Sequence, residues 1–534
     1  MKKYFPLLIL VLGCSKPNPW KIVATMDLDE SSKKPVVTRV IDGNTKPAST
    51  EGILKDFAPD GVFTTAETVV IRGRNFGRLP TVSICDKPTV IIARTEDGGI
   101  ISRVPLGIPA GQCPVTVSNT GGTSAPLIIN VSRYAAVAVP GSGSFAILDT
   151  LTWKELAVIK KGETQFLAFN SDTPVLYAAV KGNCSGNKCP SILLTVDLTT
   201  KGGPSVVSEE KIPGGNLLAL SYSPVAKTVT AVSNHGLRVF NAAYPLTPVA
   251  HRVHRWPAEL KASTILSAGV SRDGKLVAVN TTTDNQVHFF DIQVPDVMKK
   301  GVSLNLLPDE KARLLKYVDL IWDGSAQYLI ALSGDTTASL VVGYHPSFML
   351  MAEVVSPMDN TKDIIVKTVN KTPTMMEKFT PVSVNLVFHG INQAEEVAHS
   401  KWKRYYYILM AHSELLPLGK LPMSTPSGAQ KAREIFKSVN ETTLAQRLDE
   451  KNNPKQFIPA KGIYGTMKVA PWGSKALTVK CLPSITGDDF KVTIPCGYEI
   501  IDLAGNKNEF RKGGTMESKN MLPPFRFGAA AFQD

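Results

Sequence analysis

Residues 267–292 read SAGVSRDGKLVAVNTTTDNQVHFFDI, and this stretch decides the fold. An apolar run from Ser267 to Val270 meets a polar turn, Ser271-Arg272-Asp273-Gly274-Lys275. A second apolar run starts at Leu276, and a third ends at Ile292 after a polar loop. Short apolar runs broken by Gly and Asp read as strands joined by hairpins. The same order of strand, turn, strand, loop, strand recurs four more times. It starts at Phe166 (FLAFNSDTPVLYAAV, then SILLTVDL), Leu218 (LALSYSPVAKTVTAVSNHGLRVFN), Val318 (VDLIWDGSAQYLIALSGDTTASLVVGY) and Thr466 (TMKVAPWGSKALTVKCL, then GYEIIDL). The starts at 166, 218, 267 and 318 lie about 50 residues apart.

A period of this size with about four strands per unit is the mark of propeller blades. The segments resemble YVTN-type and WD-repeat-like propellers, most clearly at Ser271-Arg272-Asp273-Gly274-Lys275-Leu276, and lack the Gly-His and Trp-Asp dipeptides of true WD repeats. A degenerate unit is expected over 362–421, with strands near Ile364–Val369, Val382–His389, Arg404–His412 and Leu415–Leu421. Residues 527–534, FGAAAFQD, look like a first strand and its turn. Residues 134–159, YAAVAVPGSGSFAILDTLTWKELAVI, look like a second, third and fourth strand without a first. The two stretches together make one blade. The expectation is an all-β chain with a seven-bladed β-propeller over 133–534, closed by its N- and C-terminal strands. Splitting the degenerate region in two would give eight blades.

Upstream, residues 52–132 change to short alternating strands. Val70-Ile71-Arg72-Gly73 with Asn75-Phe76-Gly77, Val104-Pro105 with Pro109-Ala110-Gly111, and Val115-Thr116-Val117-Ser118-Asn119 with Gly121-Gly122 resemble an IPT/TIG domain. The resemblance implies an immunoglobulin-like sandwich. Before it, residues 14–51 are rich in Pro, Ser, Lys and Asp and read as a flexible tether.

The first residues are MKKYFPLLILVLGCSKP. Lys2 and Lys3 precede a short apolar run from Tyr4 to Leu12, too short to span a bilayer. The sequence Val11-Leu12-Gly13-Cys14 resembles a bacterial lipobox. This implies that residues 1–13 are a signal peptide and that Cys14 is cleaved free and acylated, the lipid being the membrane anchor. Ser15 in place of Asp implies the outer membrane, with the periplasmic or cell-surface side left open. Six other cysteines remain, and six allow 15 connectivities. They fall as three local pairs, Cys85 with Cys113, Cys184 with Cys189, and Cys481 with Cys496, and disulfides suit an exported chain.

The formal charge is +13, and part of the excess is local: residues 401–461 hold eleven Lys or Arg against five Asp or Glu. A solvated basic face accounts for this, and nucleic acid is not an expected partner. Residues 425–454 read as a helical insertion: Ser427 can cap it, Ala432, Ile435, Phe436 and Val439 share a face, and Asn452-Asn453-Pro454 ends it.

Strands of a blade alternate in direction, so second-to-third loops share an end with the blade-to-blade connections. Both later cysteine hairpins, the loop Gly390 to Lys403 and the helical insertion are expected there, as is part of His251–Trp256. Tyr134, where the sandwich connects, starts a second strand and so lies at the other end. Loops presented by a rigid scaffold carry function. The candidate binding face is therefore His251, His254, Trp256, Asp284, Asn285, Asp335, Trp402, Lys403 and Arg404.

No Gly-x-Ser-x-Gly elbow, His-Glu-x-x-His or phosphate-binding Gly-rich loop is present, and no His/Cys cluster has zinc-ligand spacing. No catalytic residue, metal or cofactor is assigned. The expected function is non-catalytic binding of a protein or glycan partner. An envelope-assembly scaffold in the periplasm is one alternative. A propeller hydrolase or lactonase, working in the central channel, is another. Oligomeric state is not legible.

Overall fold

The computed structural model describes residues 32–42, 62–64, 68–105, 108, 111–171, 173–182, 190–198, 203–212, 217–242, 251–258, 260–261, 265–281, 286–293, 299–305, 315–322, 328–335, 349–353, 379–389, 403–412, 443–448, 454–459, 463–470, 475–482, 484–486, 491–502, 508–515 and 528–533. Regular structure among these residues is all β. The chain forms two compact units, Met1–Val131 and Ser132–Asp534.

The first unit is two packed antiparallel sheets. One has the order Val36–Asp42, Thr68–Arg74, Ile100–Arg103, Ile91–Arg94. The other has the order Val62–Thr64, Leu127–Ser132, Gly111–Asn119, Thr81–Ile84, Lys87–Thr89, with Gly122–Thr123 paired to Gly111–Asn119. Alternate residues of both, among them Val40, Val69, Ile71, Val82, Ile84, Val115, Val117 and Ile129, form one buried cluster. A disulfide joins Cys85, at the end of Thr81–Ile84, to Cys113 on the neighbouring strand.

The expected tether is corrected here. Within 14–51, Val36–Asp42 is a strand, paired along its length with Thr68–Arg74. Asn75 Nδ2 donates to Lys34 O at 3.2 Å, and Asn119 Nδ2 donates to Lys33 O at 2.9 Å. A Cβ on Gly73 would lie 1.9 Å from Val36 O, so glycine is what lets this strand approach. The run VVTRVI is strand-forming, but polar residues on both sides conceal it in the sequence.

The second unit repeats one antiparallel sheet. Sheet 1 is Ala529–Phe532, Tyr134–Ala138, Ser144–Asp149, Glu155–Lys160. Sheet 2 is Thr164–Phe169, Val175–Lys181, Ser191–Asp197, Ser205–Ile212. Sheet 3 is Leu217–Ser223, Thr228–Ser233, Gly236–Asn241, His251–Arg255. Sheet 4 is Ile265–Val270, Leu276–Thr281, Gln286–Asp291, Lys299–Asn305. Sheet 5 is Leu315–Trp322, Tyr328–Asp335, Met349–Glu353. Sheet 6 is Phe379–His389, Lys403–His412, Thr443–Leu448, Pro454–Pro459. Sheet 7 is Ile463–Val469, Lys475–Cys481, Pro495–Asp502, Asn508–Thr515.

First strands of neighbouring sheets touch from sheet 1 through sheet 5, and again from sheet 6 through sheet 7 to Ala529–Phe532. This is a β-propeller arrangement. Neighbouring sheets bury their faces against each other. Phe145, Ile147 and Ala531 of sheet 1 pack with Leu167, Leu176 and Leu194 of sheet 2, and Val239 of sheet 3 packs with Val277 and Phe290 of sheet 4. Second strands are covered on both sides, which is why Val175–Lys181 reads as a nearly unbroken apolar run. Fourth strands lie at the rim, and Glu155–Lys160 alternates between exposed and half-buried residues. In sheets 2 to 7 the pairing of first with second strand slips once, as between Thr164 and Phe166 or Ile265 and Ser267. Such bulges increase local twist.

The last strand finds its partner at the other end of the unit. Ala529–Phe532 pairs with Tyr134–Ala138, with Ala531 opposite Ala136. Gln533 N donates to Tyr134 O at 2.9 Å, and Thr466 Oγ1 of sheet 7 donates to Gly528 O at 2.9 Å.

Sheet 6 differs from the expected unit. Within the expected helical insertion, 425–454, Thr443–Leu448 is a strand. It serves as the third strand, and Pro454–Pro459 as the fourth. TLAQRL has helix-forming residues, and pairing with Tyr406–Ile408 overrides that preference. The rest of the expected helix, and the strands expected at Ile364–Val369 and Leu415–Leu421, lie outside the described residues.

Candidate functional site

The end that holds second-to-third and sheet-to-sheet connections is built from several described pieces. The largest follows from two facing cysteines. Cys481 closes the second strand of sheet 7, Cys496 opens its third, and they are direct cross-strand partners. Both are fully buried and joined by a disulfide, with Cα atoms 4.0 Å apart. The hairpin they close carries a two-stranded sheet of its own, Ser484–Thr486 with Lys491–Thr493. Beside it is the turn Pro140–Gly143 of sheet 1. Gly141 N points at both carboxylate oxygens of Glu163, at 3.2 Å each, and Gly141 adopts φ 72°. A Cβ there would meet Thr515 O at 2.0 Å, so this turn is pressed against the end of sheet 7.

The expected site residues do not all reach a surface. His254 lies on the fourth strand of sheet 3, opposite Leu237, and is 1% exposed. Trp256 is half-buried. Its Nε1 donates to Ser233 O at 3.0 Å, and its ring meets Phe290 of sheet 4 edge-on at 5.6 Å. Trp256 therefore seals the join between sheets 3 and 4. His251 begins the same strand, opposite Phe240, at the other loop end. Asp335 closes the second strand of sheet 5, on the connection where it was expected.

Lys403 and Arg404 are moved. They open the second strand of sheet 6, opposite His389 and Phe388, so the loop from Gly390 joins first to second strand. That connection is at the opposite end from the Cys481–Cys496 hairpin. Val382–His389, expected as a second strand, belongs to the first strand, Phe379–His389. Cys14, Cys184, Cys189, Asp284, Asn285 and Trp402 lie outside the described residues.

Polar groups that the sequence reading passed over gather in sheet 7. Lys480 Nζ and Glu499 Oε1 are 3.2 Å apart, with side chains 9% and 5% exposed. The Lys480 ammonium lies 5.8 Å from the Phe510 ring. A Lys and a Glu set inside the mostly buried strands KALTVKC and PCGYEIID were the available signal. On the face toward sheet 1, Tyr498 Oη donates to Glu155 Oε1 at 2.8 Å. The Arg511 guanidinium covers the Tyr498 ring at 6.0 Å and donates to Trp153 O. Burial first, then the bond to Glu155, push the Tyr498 phenol up to about 12.

Among the described residues, no group of three His, Cys, Asp or Glu could hold a metal ion. No helix among them is long and apolar enough to cross a membrane.

No protein-family model matches this chain. No curated protein matches it either. Some solved structures are weakly similar to it. The β-propeller domain of Myceliophteria thermophila Cps50 (Swd1) is 10% identical, with 73% of this chain and 93% of that one covered and a TM-score of 0.42. A Lactobacillus plantarum protein is 10% identical over 76% of this chain and 100% of its own, TM-score 0.43. Apo AztD from Citrobacter koseri is 11% identical over 76% and 99%, TM-score 0.41. Likeness at this level says nothing about activity.

Proposed function

We propose that this chain is an exported bacterial lipoprotein that binds a protein or glycan partner without catalysis. In this reading Cys14 carries the lipid at the outer membrane, an IPT/TIG-like sandwich follows, and a seven-bladed propeller presents the binding face. That face is the loop end opposite Tyr134, where the sandwich connects. What supports it is the Cys481–Cys496 hairpin, a stiffened projection with its own two-stranded sheet on a rigid scaffold. Lys403, Arg404 and His251, at the other end, and the buried His254 drop out of the proposed face.

The test has two parts. Protease is added to intact and lysed cells, and the Cys14→Ser variant is fractionated; release of that variant from membranes is expected. A photo-crosslinking residue is then placed at Leu482, on the hairpin, or at Leu156, on the rim strand of sheet 1. Both side chains are exposed. Adducts at Leu482 that vanish when residues 484–493 are replaced by a short turn support the reading. Adducts only at Leu156 would move the site to the rim and sink it.

A further inference from the structure

The chain enters the first unit at one end of the sandwich and leaves it at the other. Val36 opens the first strand opposite Arg74, the last residue of its partner. Asn119, the last residue of Gly111–Asn119, holds the entering chain: its Nδ2 donates to Lys33 O at 2.9 Å and to Asn75 O at 2.7 Å. Val131, where the unit ends, is opposite Gly111, at the start of that same strand.

The loop from Asn75 to Pro80 crosses the entry end from one sheet to the other. It is pinned in its first half. Phe76 is buried in the core, Arg94 lies over its ring at 5.9 Å, and Arg94 Nη2 donates to Gly77 O at 2.6 Å. Arg78 and Leu79 then project, and Leu79 is 89% exposed, more than any other large apolar residue among those described. A single exposed leucine needs no explanation. This one has company. Ile92, on the strand that ends at Arg94, is 51% exposed, and Val36 is 36% exposed. Lys34, Arg74 and Arg78 are exposed at the same end. The acids there among the described residues are Glu96 and Asp97, and Asp97 is paired with Arg72 at 3.1 Å. Exposed apolar side chains set among cations suit an anionic bilayer surface: the apolar groups sink to the acyl boundary, and the cations stay with the headgroup phosphates.

We infer that this end of the first unit rests on an anionic lipid surface, with Leu79 in the interface. The inference rests on the Cys14 anchor proposed above. Only residues 15–31 separate Cys14 from Ser32, a reach of at most about 60 Å, and Ser32 stands at this end beside Gly121. The anchor therefore brings this end, and not the Val131 end, to the bilayer first. A soluble anion would use the cations and leave Leu79 idle. The contact is weak by itself, so Cys14→Ser is still expected to leave the membrane.

The mature chain, residues 15–534 without lipid, is sedimented with phosphatidylcholine vesicles that contain about one-third phosphatidylglycerol, and with phosphatidylcholine alone, at about 150 mM salt. The mixed vesicles should bind it at least about tenfold more tightly. Arg74→Gln/Arg78→Gln should weaken that binding about tenfold or more, and Leu79→Ser about fivefold. Lys160→Gln/Lys211→Gln/Lys512→Gln, on the second unit, should change it less than about twofold. Should the arginine pair melt early, Arg78→Gln alone, on the exposed loop, serves in its place. Absence of binding to the mixed vesicles would overturn the inference. So would equal losses from the lysine set, which would reduce it to bulk charge. Heparin or single-stranded DNA bound as tightly, with the same arginine dependence and no effect of Leu79→Ser, would replace the lipid surface with a soluble polyanion. Because this chain carries no lipid, a failure here is separate from a failure of the anchor, which fractionation of Cys14→Ser reads.

Discussion

Tyr498 shows how one residue can report on the join between the ends of the propeller. Its phenol is buried between sheets 7 and 1, bonded to Glu155 and covered by Arg511. In an unfolded chain a tyrosine ionises near pH 10. In the fold this one is held to about 12. Between those values the unfolded state has lost the proton and the folded state has kept it. The folded state then binds more protons, and stability falls as pH rises. Tyr177, stacked on Tyr222 and also pushed up to about 12 by burial, adds to the same trend. Tyr498→Phe should therefore flatten the decline of Tm between pH 10 and 12 while costing about 1 kcal/mol at neutral pH for the lost hydrogen bond. An unchanged alkaline slope would mean that Tyr498 titrates as it does in the unfolded chain. At this scale the sequence reading was weakest. Whether His254 and Trp256 face solvent or pack over a blade stays open in the sequence, because alternation along a strand does not say which side a neighbouring sheet will cover.

The strands of sheet 7 carry the two elements most open to direct test. Lys480 and Glu499 are a buried ion pair on neighbouring strands. Removing the carboxylate with Glu499→Ala leaves a buried ammonium facing a cavity, and chemical denaturation should show a loss of about 3–5 kcal/mol. Lys480→Met/Glu499→Leu should recover most of it, since both charges then leave the buried position together. The Cys481–Cys496 disulfide spans 15 residues. Replacing both cysteines with alanine should lower stability by about 3 kcal/mol, read from melts with and without reductant. A loss seen equally in the reduced wild type would tie it to the bond, not to the side chains. These hairpins were legible because each is local: a run, a turn and a run within about 25 residues. Thr443–Leu448 was not legible, because its strand state depends on a partner at Tyr406–Ile408, far along the chain.

For the whole second unit, the prediction concerns its terminal strand. Ala529, Ala530 and Ala531 are 3–6% exposed and complete sheet 1. Removing residues 528–534 would strip Tyr134–Ala138 of one partner and uncover the first strands of sheets 2 and 7, which touch the missing strand. Differential scanning calorimetry should then show a large drop in Tm of the propeller transition, with earlier proteolysis at the exposed edge. An unaltered transition would show that this pairing contributes nothing to stability.

What the sequence determined by itself was the repeating unit, the sandwich-like texture before it, the pairing of Cys85 with Cys113 and of Cys481 with Cys496, and the match between the last strand and Tyr134–Ile159. All of these rest on periodicity or on neighbours close in the chain, apart from that last match, which rests on a missing piece. Only the tertiary structure decided that Val36–Asp42 is a strand of the first unit, that sheet 6 takes its third strand from a helix-like segment, that Lys403 and Arg404 lie away from the disulfide hairpin, and that Lys34, Arg74 and Arg78 lie with Leu79 at one end of the first unit. The reason is that a strand's pattern records how its side chains alternate. Which strand it bonds to, and what covers its second face, are settled by residues tens to hundreds of positions away.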